Sequence, residues 1–393
     1  MGRAYHGTTG ESAYTPMGLE ELNIPGSQAE NITASVKSSP DLKKLLLVIT
    51  IKSEKSTKKI ANLYNAVSLA KIGTKQPIEK IEQAPAKPLQ FEVDNAGNFI
   101  YLVSYLRPGA KNDVALAVCY SAAYKTSTSF VKLPTENKTI KTGEIQVHDN
   151  ELICTGEFIN GIEKSLYTVD YKHVGIYMFS FKLESSEISA QNFDIFSGDV
   201  QAKLFGNPEL FLYRSYYIDK ELYVVFQDFY STKVYHKRET PTGFVEKDLR
   251  MVIDYGKQIM IVKYSSAKKT EWMRIIPRNT LGEALIMQVV CAKNIHILYH
   301  DTEKNFKKYP DVNTFKFEKW NPTGGLGKGA ITACVTIDKM RNMKRVLAQP
   351  QEADQHLMHT EPFHFNPDHK IPLKLHFDKK GGTARIDLLK VDD

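Results

Sequence analysis

The sequence contains few cysteines and tryptophans, four and two respectively among 393 residues. The cysteines are Cys119, Cys154, Cys291 and Cys334; they form no CxxC pair, and each falls within a predicted strand. At this density and spacing, neither a disulfide framework nor a cysteine-based zinc site is expected. We therefore interpret the four thiols as small buried hydrophobic groups.

The sequence also lacks an apolar run of about 18 residues, which is the length that a membrane-spanning helix requires. We therefore expect no transmembrane segment. The first residues, MGRAYHGTTG, contain no apolar core and do not have the pattern of a signal peptide.

Signatures of common catalytic and nucleotide-binding sites are absent. No GxSxG, HExxH or protein-kinase motif set occurs, and the glycine-rich run Gly324–Gly329 lacks the GxxxxGK[ST] pattern. Histidines cluster after His356 without a zinc-ligand pattern, so we expect no metal and no cofactor. The 52 basic and 45 acidic residues give a formal charge of only +7, and no recognised nucleic-acid module is present, which argues against a nucleic-acid partner.

What the sequence does contain is a repeated pair of segments rich in β-branched and aromatic residues. The first member follows a turn and ends at a polar residue, at Lys44–Lys52, Asn98–Tyr105, Asn150–Glu157, Lys220–Asp228, Asn294–Asp301 and Lys370–Asp378. The second member follows after a gap, at Asn62–Ala70, Asp113–Ala122, Gly175–Leu183, Gln258–Tyr264, Ala330–Asp338 and Arg385–Val391. The units begin roughly 50–80 residues apart, a spacing typical of repeat arrays and propellers.

The units also contain weaker strand-like segments, such as Phe130–Leu133 and Glu271–Ile276. Together with the repeated pair, they predict about four strands per unit. A four-stranded antiparallel sheet is a propeller blade, and closure into a ring removes exposed sheet edges. The predicted fold class is all-β, a β-propeller of six four-stranded blades, with seven blades, a large β-sandwich or two small all-β domains as alternatives. We assign residues 31–393 to a single propeller domain and interpret residues 1–30 as an N-terminal arm, either flexible or ring-closing.

A first group of candidate site residues consists of the acids that end the first strands. Glu157, Asp228, Asp301 and Asp378 occupy similar positions in their units, and His300 precedes Asp301. In a ring these residues would lie near one mouth of the central channel. Converging carboxylates there can bind a cation or basic ligand, or act as the acid and base of a carbohydrate-active enzyme. The alternative is that these acids simply form turns at strand ends.

A second group lies in two gaps that are longer than the others, Phe229–Lys257 and Thr302–Gly329, of about 29 residues each. Long loops without secondary structure are uncommon and often functional. The candidate binding residues in these gaps are aromatic or basic: Tyr230, Tyr235, His236, Arg238, Tyr309 and Trp320. This chemistry suits a sugar or an extended polymer. The alternative is that the aromatic residues pack down onto the blades.

Several segments carry a resemblance to a known family: Asn150–Phe158 followed by Gly175–Leu183, Leu222–Tyr230, Gln258–Tyr264 followed by Glu271–Pro277, and Ile297–Asn305. On these segments the chain resembles a family of β-propeller proteins of Bacteroidota that are mostly exported and functionally uncharacterised. The resemblance covers about residues 40–392. It implies a propeller in the periplasm or at the cell surface, and it brings no catalytic residues. The first residues contain no leader and so depart from the family pattern; either the protein is cytoplasmic, or this chain begins after a removed leader.

The function predicted is that of a non-catalytic binding or scaffold propeller at the cell envelope, which presents its long loops to a protein or glycan partner. Two long gaps in an otherwise regular repeat motivate this prediction. The alternative is a carbohydrate-active hydrolase or lyase that uses channel-mouth carboxylates such as Asp228 and Asp301. A structural subunit of a larger envelope complex is a third possibility.

Overall fold

In a computed structural model, the described residues are mostly β-strand, with two short helices. The structure describes residues 31–52, 57–81, 84–107, 114–121, 128–135, 138–148, 150–160, 174–183, 185, 187–204, 209–218, 220–239, 245–281, 286–291, 294–313, 315, 330–338, 340, 342–347, 373–377 and 384–388. The arm predicted for residues 1–30 lies outside the described residues, as does Trp320.

The described residues contain 24 strands and two short helices. The strands are β1 Asn31–Ser38, β2 Lys44–Lys52, β3 Thr57–Asn65, β4 Lys71–Lys75, β5 Lys80–Ile81, β6 Ala84–Val93, β7 Phe99–Leu106, β8 Val114–Ser121, β9 Ser129–Lys132, β10 Lys138–Ile140, β11 Glu144–His148, β12 Glu151–Asn160, β13 Val174–Lys182, β14 Glu187–Ile195, β15 Glu209–Ile218, β16 Glu221–Glu239, β17 Val245–Tyr264, β18 Thr270–Leu281, β19 Ile286–Cys291, β20 Ile295–Thr302, β21 Ala330–Ile337, β22 Met343–Leu347, β23 Leu373–Phe377 and β24 Ala384–Leu388. The helices are α1 Gly198–Lys203 and α2 Glu303–Lys308.

These strands form six sheets, each made of strands that follow one another in the chain. Sheets I (β1–β4), IV (β15–β18) and V (β19–β22) have four strands in sequential order, and sheet II (β5–β9) has five. Sheet III has the order β10-β12-β13-β14 with β11 paired to β12, and sheet VI consists of β23 and β24. Successive four-stranded antiparallel meanders are the architecture of a β-propeller, so the predicted fold class is confirmed. The number of blades stays a prediction.

The described chain divides into two compact units. Unit 1 comprises Met1–Pro134, Ile145–Leu152 and Phe181–Glu187, and unit 2 comprises Thr135–Glu144, Ile153–Ser180 and Ile188–Asp393. The assignment of residues 31–393 to one domain stays a prediction.

Unit 1 has an apolar core formed by sheets I and II. Leu46 and Leu63 of sheet I and Phe99 and Tyr101 of sheet II belong to one buried cluster. The turn between β6 and β7 contacts sheet I, where Lys44 Nζ donates to the carbonyl of Asn95.

Unit 2 buries sheet IV on both faces. Along β17, Met260 and Val262 lie in a cluster shared with sheet III, whereas Ile259 and Ile261 lie in a cluster shared with sheet V. Alternate residues of a strand point to opposite faces, so a strand between two cores must be apolar at every position. This requirement explains the uninterrupted apolar runs from which the central strands were predicted.

The prediction of a long loop at Phe229–Lys257 is wrong. β16 continues to Glu239 and β17 already begins at Val245, so the two strands extend as a hairpin well beyond the sheet. The segment contains many charged residues, but its β-branched and aromatic residues favour an extended backbone.

Tight turns close two of the hairpins, and both are held by an Asp–Asn pair. In the predicted turn Asp94–Asn98, the Asp94 carboxylate accepts the Asn98 backbone N–H at 2.8 Å and the Asn98 side-chain amide at 2.7 Å. Asp338 and Asn342 repeat both bonds, at 2.8 and 3.0 Å, between β21 and β22. The repeat seen in the strands therefore recurs in the hydrogen bonding of two turns.

Candidate functional site

The extended hairpin of sheet IV is the most distinctive feature of unit 2. Among the described residues, the neighbouring strands pair only with its base: β15 pairs last with Phe229 and β18 pairs last with Tyr255. Beyond them, Ser231–Glu239 and Val245–Asp254 pair with each other, and we call these two segments the ribbon. At about 3.3 Å per residue, nine residues give the ribbon a length of roughly 30 Å.

Four of the predicted binding residues lie along β16 in or beside the ribbon. Tyr230 pairs with Tyr255 at its base, and Tyr235 pairs with Leu249. Towards its tip, His236 pairs with Asp248 and Arg238 pairs with Glu246. Arg238 and Glu246 carry opposite formal charges at directly paired positions, which favours this register. Asp228 is not in the ribbon; it pairs with Leu210 within the body of sheet IV.

The second long gap begins as an ordered structure. Its first residues form α2, with Thr302 as the N-cap: the Thr302 hydroxyl accepts the Asn305 backbone N–H at 3.2 Å. After the helix, Tyr309 and Phe315 contact each other with ring centroids 5.9 Å apart and belong to the core shared by sheets III and IV. These aromatic residues therefore pack down onto the sheets, as the alternative interpretation predicted.

Asp301, near the end of β20, binds the start of α2 through its carboxylate. Its Oδ1 accepts the Thr302 N–H and the Asn305 side-chain amide, both at 2.8 Å, and its Oδ2 accepts the same amide at 2.9 Å. Arg345 Nη1 lies 3.3 Å from Oδ2, and the side chains of Asp301 and Arg345 are 0% and 1% exposed.

Arg345, on β22, extends this arrangement to the end of α2. Its Nη2 donates to the carbonyl of Phe306 at 2.8 Å and to the carbonyl of Tyr309. The guanidinium also lies over the Phe306 ring, 4.6 Å from its centroid. A helix C-terminus carries partial negative charge, so a buried cation at these carbonyls is favourable. Asp301 and Tyr309 are thus brought together through Arg345.

The engagement of Asp301 limits its chemistry. A general acid, base or nucleophile must reach a substrate atom, usually within about 3 Å. The Asp301 carboxylate has no exposed surface and binds a helix cap and a guanidinium. We conclude that it holds α2 in place. Beside it, burial raises the pKa of the Tyr299 phenol above its ordinary value, with Asp301 adding to the shift and Arg345 opposing it.

Glu157 and His300 are also integrated into sheets. Glu157 is fully buried in β12; its N–H donates to the Thr142 hydroxyl at 2.9 Å and its carbonyl accepts the Lys141 N–H at 3.0 Å. His300 is buried in β20 opposite Thr332. Asp378 lies outside the described residues. Glu157, His300 and Asp301 are therefore all buried, and their role in binding stays a prediction.

Sequence reasoning missed Arg345 and Asn305. A local signal existed for the start of α2, because Thr302 is a preferred N-cap residue and Glu303 lies in the first turn. No local signal marks Arg345, which lies 44 residues from Asp301 in the chain.

A second polar cluster joins β14 to β18. Asp194 Oδ2 accepts the Thr270 hydroxyl at 2.5 Å and the Asn192 amide at 2.9 Å. Burial raises the pKa of the Asp194 carboxyl, while the bond from Thr270 and the charge of Lys269 oppose the shift.

On sheet IV, Lys263 bonds both Glu221 and Glu271 at 2.8 Å. Burial lowers the pKa of Lys263, but these bonds outweigh burial and raise it. Because both glutamates already neutralise it, Lys263 stabilises its sheet and does not offer a free cation to a ligand.

No group of three or more histidine, cysteine, aspartate or glutamate side chains within the described residues is arranged to hold a metal ion. Likewise, none of their helices is long and apolar enough to cross a membrane.

No family model and no curated protein matches the chain. Among solved structures, it is similar to the β-propeller domain of the Trilobed protease from Pyrococcus furiosus, with 9% identity, coverage of 93% of this chain and 95% of that chain, and a TM-score of 0.33. It is also similar to an α-L-arabinofuranosidase from Fusarium graminearum, with 12% identity, 93% coverage of both chains and a TM-score of 0.38. A polysaccharide lyase gives 10% identity, coverage of 99% and 94%, and a TM-score of 0.31.

Proposed function

We propose that this protein is a non-catalytic binding propeller that engages a protein partner through the ribbon of sheet IV. The observation that carries the proposal is the extension of β16 and β17 beyond Phe229 and Tyr255, the last positions at which they pair with the described residues of β15 and β18. An isolated two-stranded ribbon is marginally stable in water. Its outer edges also present backbone N–H and C=O groups that other strands can pair with. A partner strand would satisfy both conditions.

The burial of the predicted acids supports binding over catalysis. Asp301 is bound to Arg345 and to the start of α2, and Glu157 is enclosed in sheet III. The carbohydrate-active alternative then depends on Asp228 and on carboxylates elsewhere in the chain. We propose the cell envelope as the location on the sequence resemblance alone.

Removal of the ribbon tests this proposal. Tyr230 and Tyr255 are directly paired, so an Asn-Gly turn in place of Ser231–Asp254 closes the hairpin with little strain. We expect this variant to keep the circular dichroism spectrum and thermal unfolding of the parent protein. Cross-linking and quantitative mass spectrometry in the native host should show the loss of the partner that the parent protein retains.

A matched control is Met340→Ser, which removes an exposed apolar side chain from a turn of sheet V. It should leave the partner bound. If the folded ribbon deletion retains every partner of the parent protein, the proposed function is wrong. Degradation of a polysaccharide by the parent protein, abolished by Asp228→Asn, would support the enzymatic alternative.

A further inference from the structure

The two outer edges of the ribbon differ in regularity. β17 contains an extra residue, Arg250, because Val234 pairs with Met251 and Tyr235 pairs with Leu249. A bulge interrupts the ladder and twists an edge away from further pairing. β16 carries no extra residue from Tyr230 to Glu239. The β16 edge is therefore the one suited to a continuous added strand.

The two edges also differ in charge. Within Ser231–Glu239, three basic residues stand against one acidic residue, so the β16 segment has a formal charge of +2 with His236 neutral. Within Val245–Asp254, two basic residues stand against three acidic ones, a formal charge of −1. Two β16 edges brought together would place basic residues opposite basic residues, which is unfavourable, whereas an acidic strand would gain about 0.2–1 kcal/mol per opposed pair.

We propose that the β16 edge of the ribbon, Tyr230–Glu239, binds an extended acidic peptide segment of a partner protein by β-strand addition. This proposal rests on the proposed function and names the chemistry of the partner. Strand alternation places Lys233, Tyr235 and Lys237 on one face of the ribbon. The complementary segment then has an acidic residue, an apolar or aromatic residue and a second acidic residue at every other position.

Lysine on an edge strand has a simpler role, which is to prevent aggregation. That role requires no preference for acidic strands and no added ladder of backbone hydrogen bonds. Strand addition requires both, since main-chain bonds supply affinity and alternate side chains supply specificity. The two roles therefore differ in measurable ways.

The test is fluorescence anisotropy with the full chain and a labelled ten-residue peptide carrying glutamate, valine and glutamate at alternate positions. A second peptide has lysine in place of glutamate, and a third has N-methylated backbone amides on its pairing side. We expect the lysine peptide to bind at least about fourfold more weakly, since two opposed pairs change sign. N-methylation should abolish binding, and added salt should weaken it.

Charge reversal of the edge gives the decisive comparison. Lys233→Glu with Lys237→Glu should invert the preference towards the lysine peptide. Lys344→Glu, an exposed lysine on β22 at the edge of sheet V, should leave the preference unchanged. Equal binding of both peptides, binding of neither, or full binding of the N-methylated peptide would overturn the proposal.

The failures of the two proposals are distinguishable. If the ribbon deletion loses its partner while acidic peptides do not bind, strand addition of an acidic segment is wrong and the ribbon remains a binding element. If the folded deletion retains its partners, the ribbon is not the binding element.

Discussion

Arg345 on β22 and Asp301 on β20 form an ion pair of 3.3 Å with both side chains withdrawn from water. A buried ion pair is stable only when further hydrogen bonds satisfy both groups. Here Asn305 and Thr302 bind the carboxylate, and the carbonyls of Phe306 and Tyr309 bind the guanidinium. The pair therefore fixes both ends of α2 against sheet V.

We expect Arg345→Met to destabilise unit 2 strongly. The substitution leaves the Asp301 carboxylate buried without its cation, a change that typically costs about 3–5 kcal/mol. Urea denaturation followed by circular dichroism would measure the loss. Adding Asp301→Asn should restore part of it, because the amide is neutral and can still accept the Thr302 N–H.

The control is Lys307→Met, which breaks the pair between Lys307 and Glu303 on the exposed side of α2. Exposed pairs at this helical spacing contribute only about 0.3–0.5 kcal/mol. If Arg345→Met and Lys307→Met lower the free energy of unfolding by similarly small amounts, the buried pair has no special role in stability.

Two turn residues have a left-handed backbone conformation, and we expect their substitutions to change the stability of the protein in opposite directions. Gly97 has φ +86° in the Asp94–Asn98 turn, whereas Leu42 has φ +58° between β1 and β2. A side chain in this conformation costs about 1–2 kcal/mol, which glycine avoids at a smaller entropic cost. Leu42→Gly should therefore stabilise the protein by about 0.5 kcal/mol, and Gly97→Ala should destabilise it by at least about 1 kcal/mol. Thermal unfolding of both variants checks this, and a fall in melting temperature for both would contradict the strain argument.

The central strands were predictable because burial on both faces leaves an uninterrupted apolar signal. The segment Asn294–Asp301, for example, differs by one residue at each end from β20. The ribbon was not predictable in this way, since charged residues such as Lys233 and Lys237 interrupt its apolar pattern. Its strand character depends on the register with β17, which is a property of pairing and not of one segment.

The site was less predictable than the fold. Sequence position suggested that Asp301 ends its strand near open solvent, but its environment is decided by Arg345 on another strand. Such long-range pairs leave no periodic signal within a segment. Tyr309 illustrates the same point, because its aromatic ring suits either a binding surface or a core, and tertiary packing decides for the core.

The pH dependence of stability should distinguish Asp194 from Asp338. The folded-state pKa of Asp194 is raised by burial, so the folded protein retains this proton where the unfolded chain has lost it. The contribution of Asp194 to stability therefore falls as pH rises from about 3.8 through the folded-state pKa. The melting temperature of the parent protein minus that of Asp194→Asn should be lower at pH 7 than at pH 3.5.

Asp338 provides a control of opposite sign. The bond from the Asn342 side chain lowers its folded-state pKa, so its contribution is present above the unfolded-state pKa and is lost as pH falls. The melting temperature of the parent protein minus that of Asp338→Asn should be higher at pH 7 than at pH 3.5. If this difference in melting temperature changes with pH in the same direction for both variants, these assignments are wrong.

Gly156, in β12, lies where another backbone passes too closely for a side chain. A Cβ atom built there would lie 2.1 Å from the Thr142 carbonyl oxygen and 2.8 Å from the Tyr177 hydroxyl. That hydroxyl donates to the same carbonyl at 2.9 Å. We therefore expect Gly156→Ala to separate these groups and to destabilise unit 2 by about 1–3 kcal/mol, the usual cost of overpacking.

The matched substitution is Gly198→Ala in α1, where the added methyl group would meet nothing within 4 Å. Alanine is a better helix former than glycine, so this variant should be as stable as the parent protein or slightly more stable. Chemical denaturation of both variants separates the effect of close backbone approach from the general effect of replacing glycine. If Gly156→Ala unfolds at the denaturant concentration of the parent protein, the strands around Thr142 can move apart without cost, and the close packing of sheet III is not a constraint on its sequence.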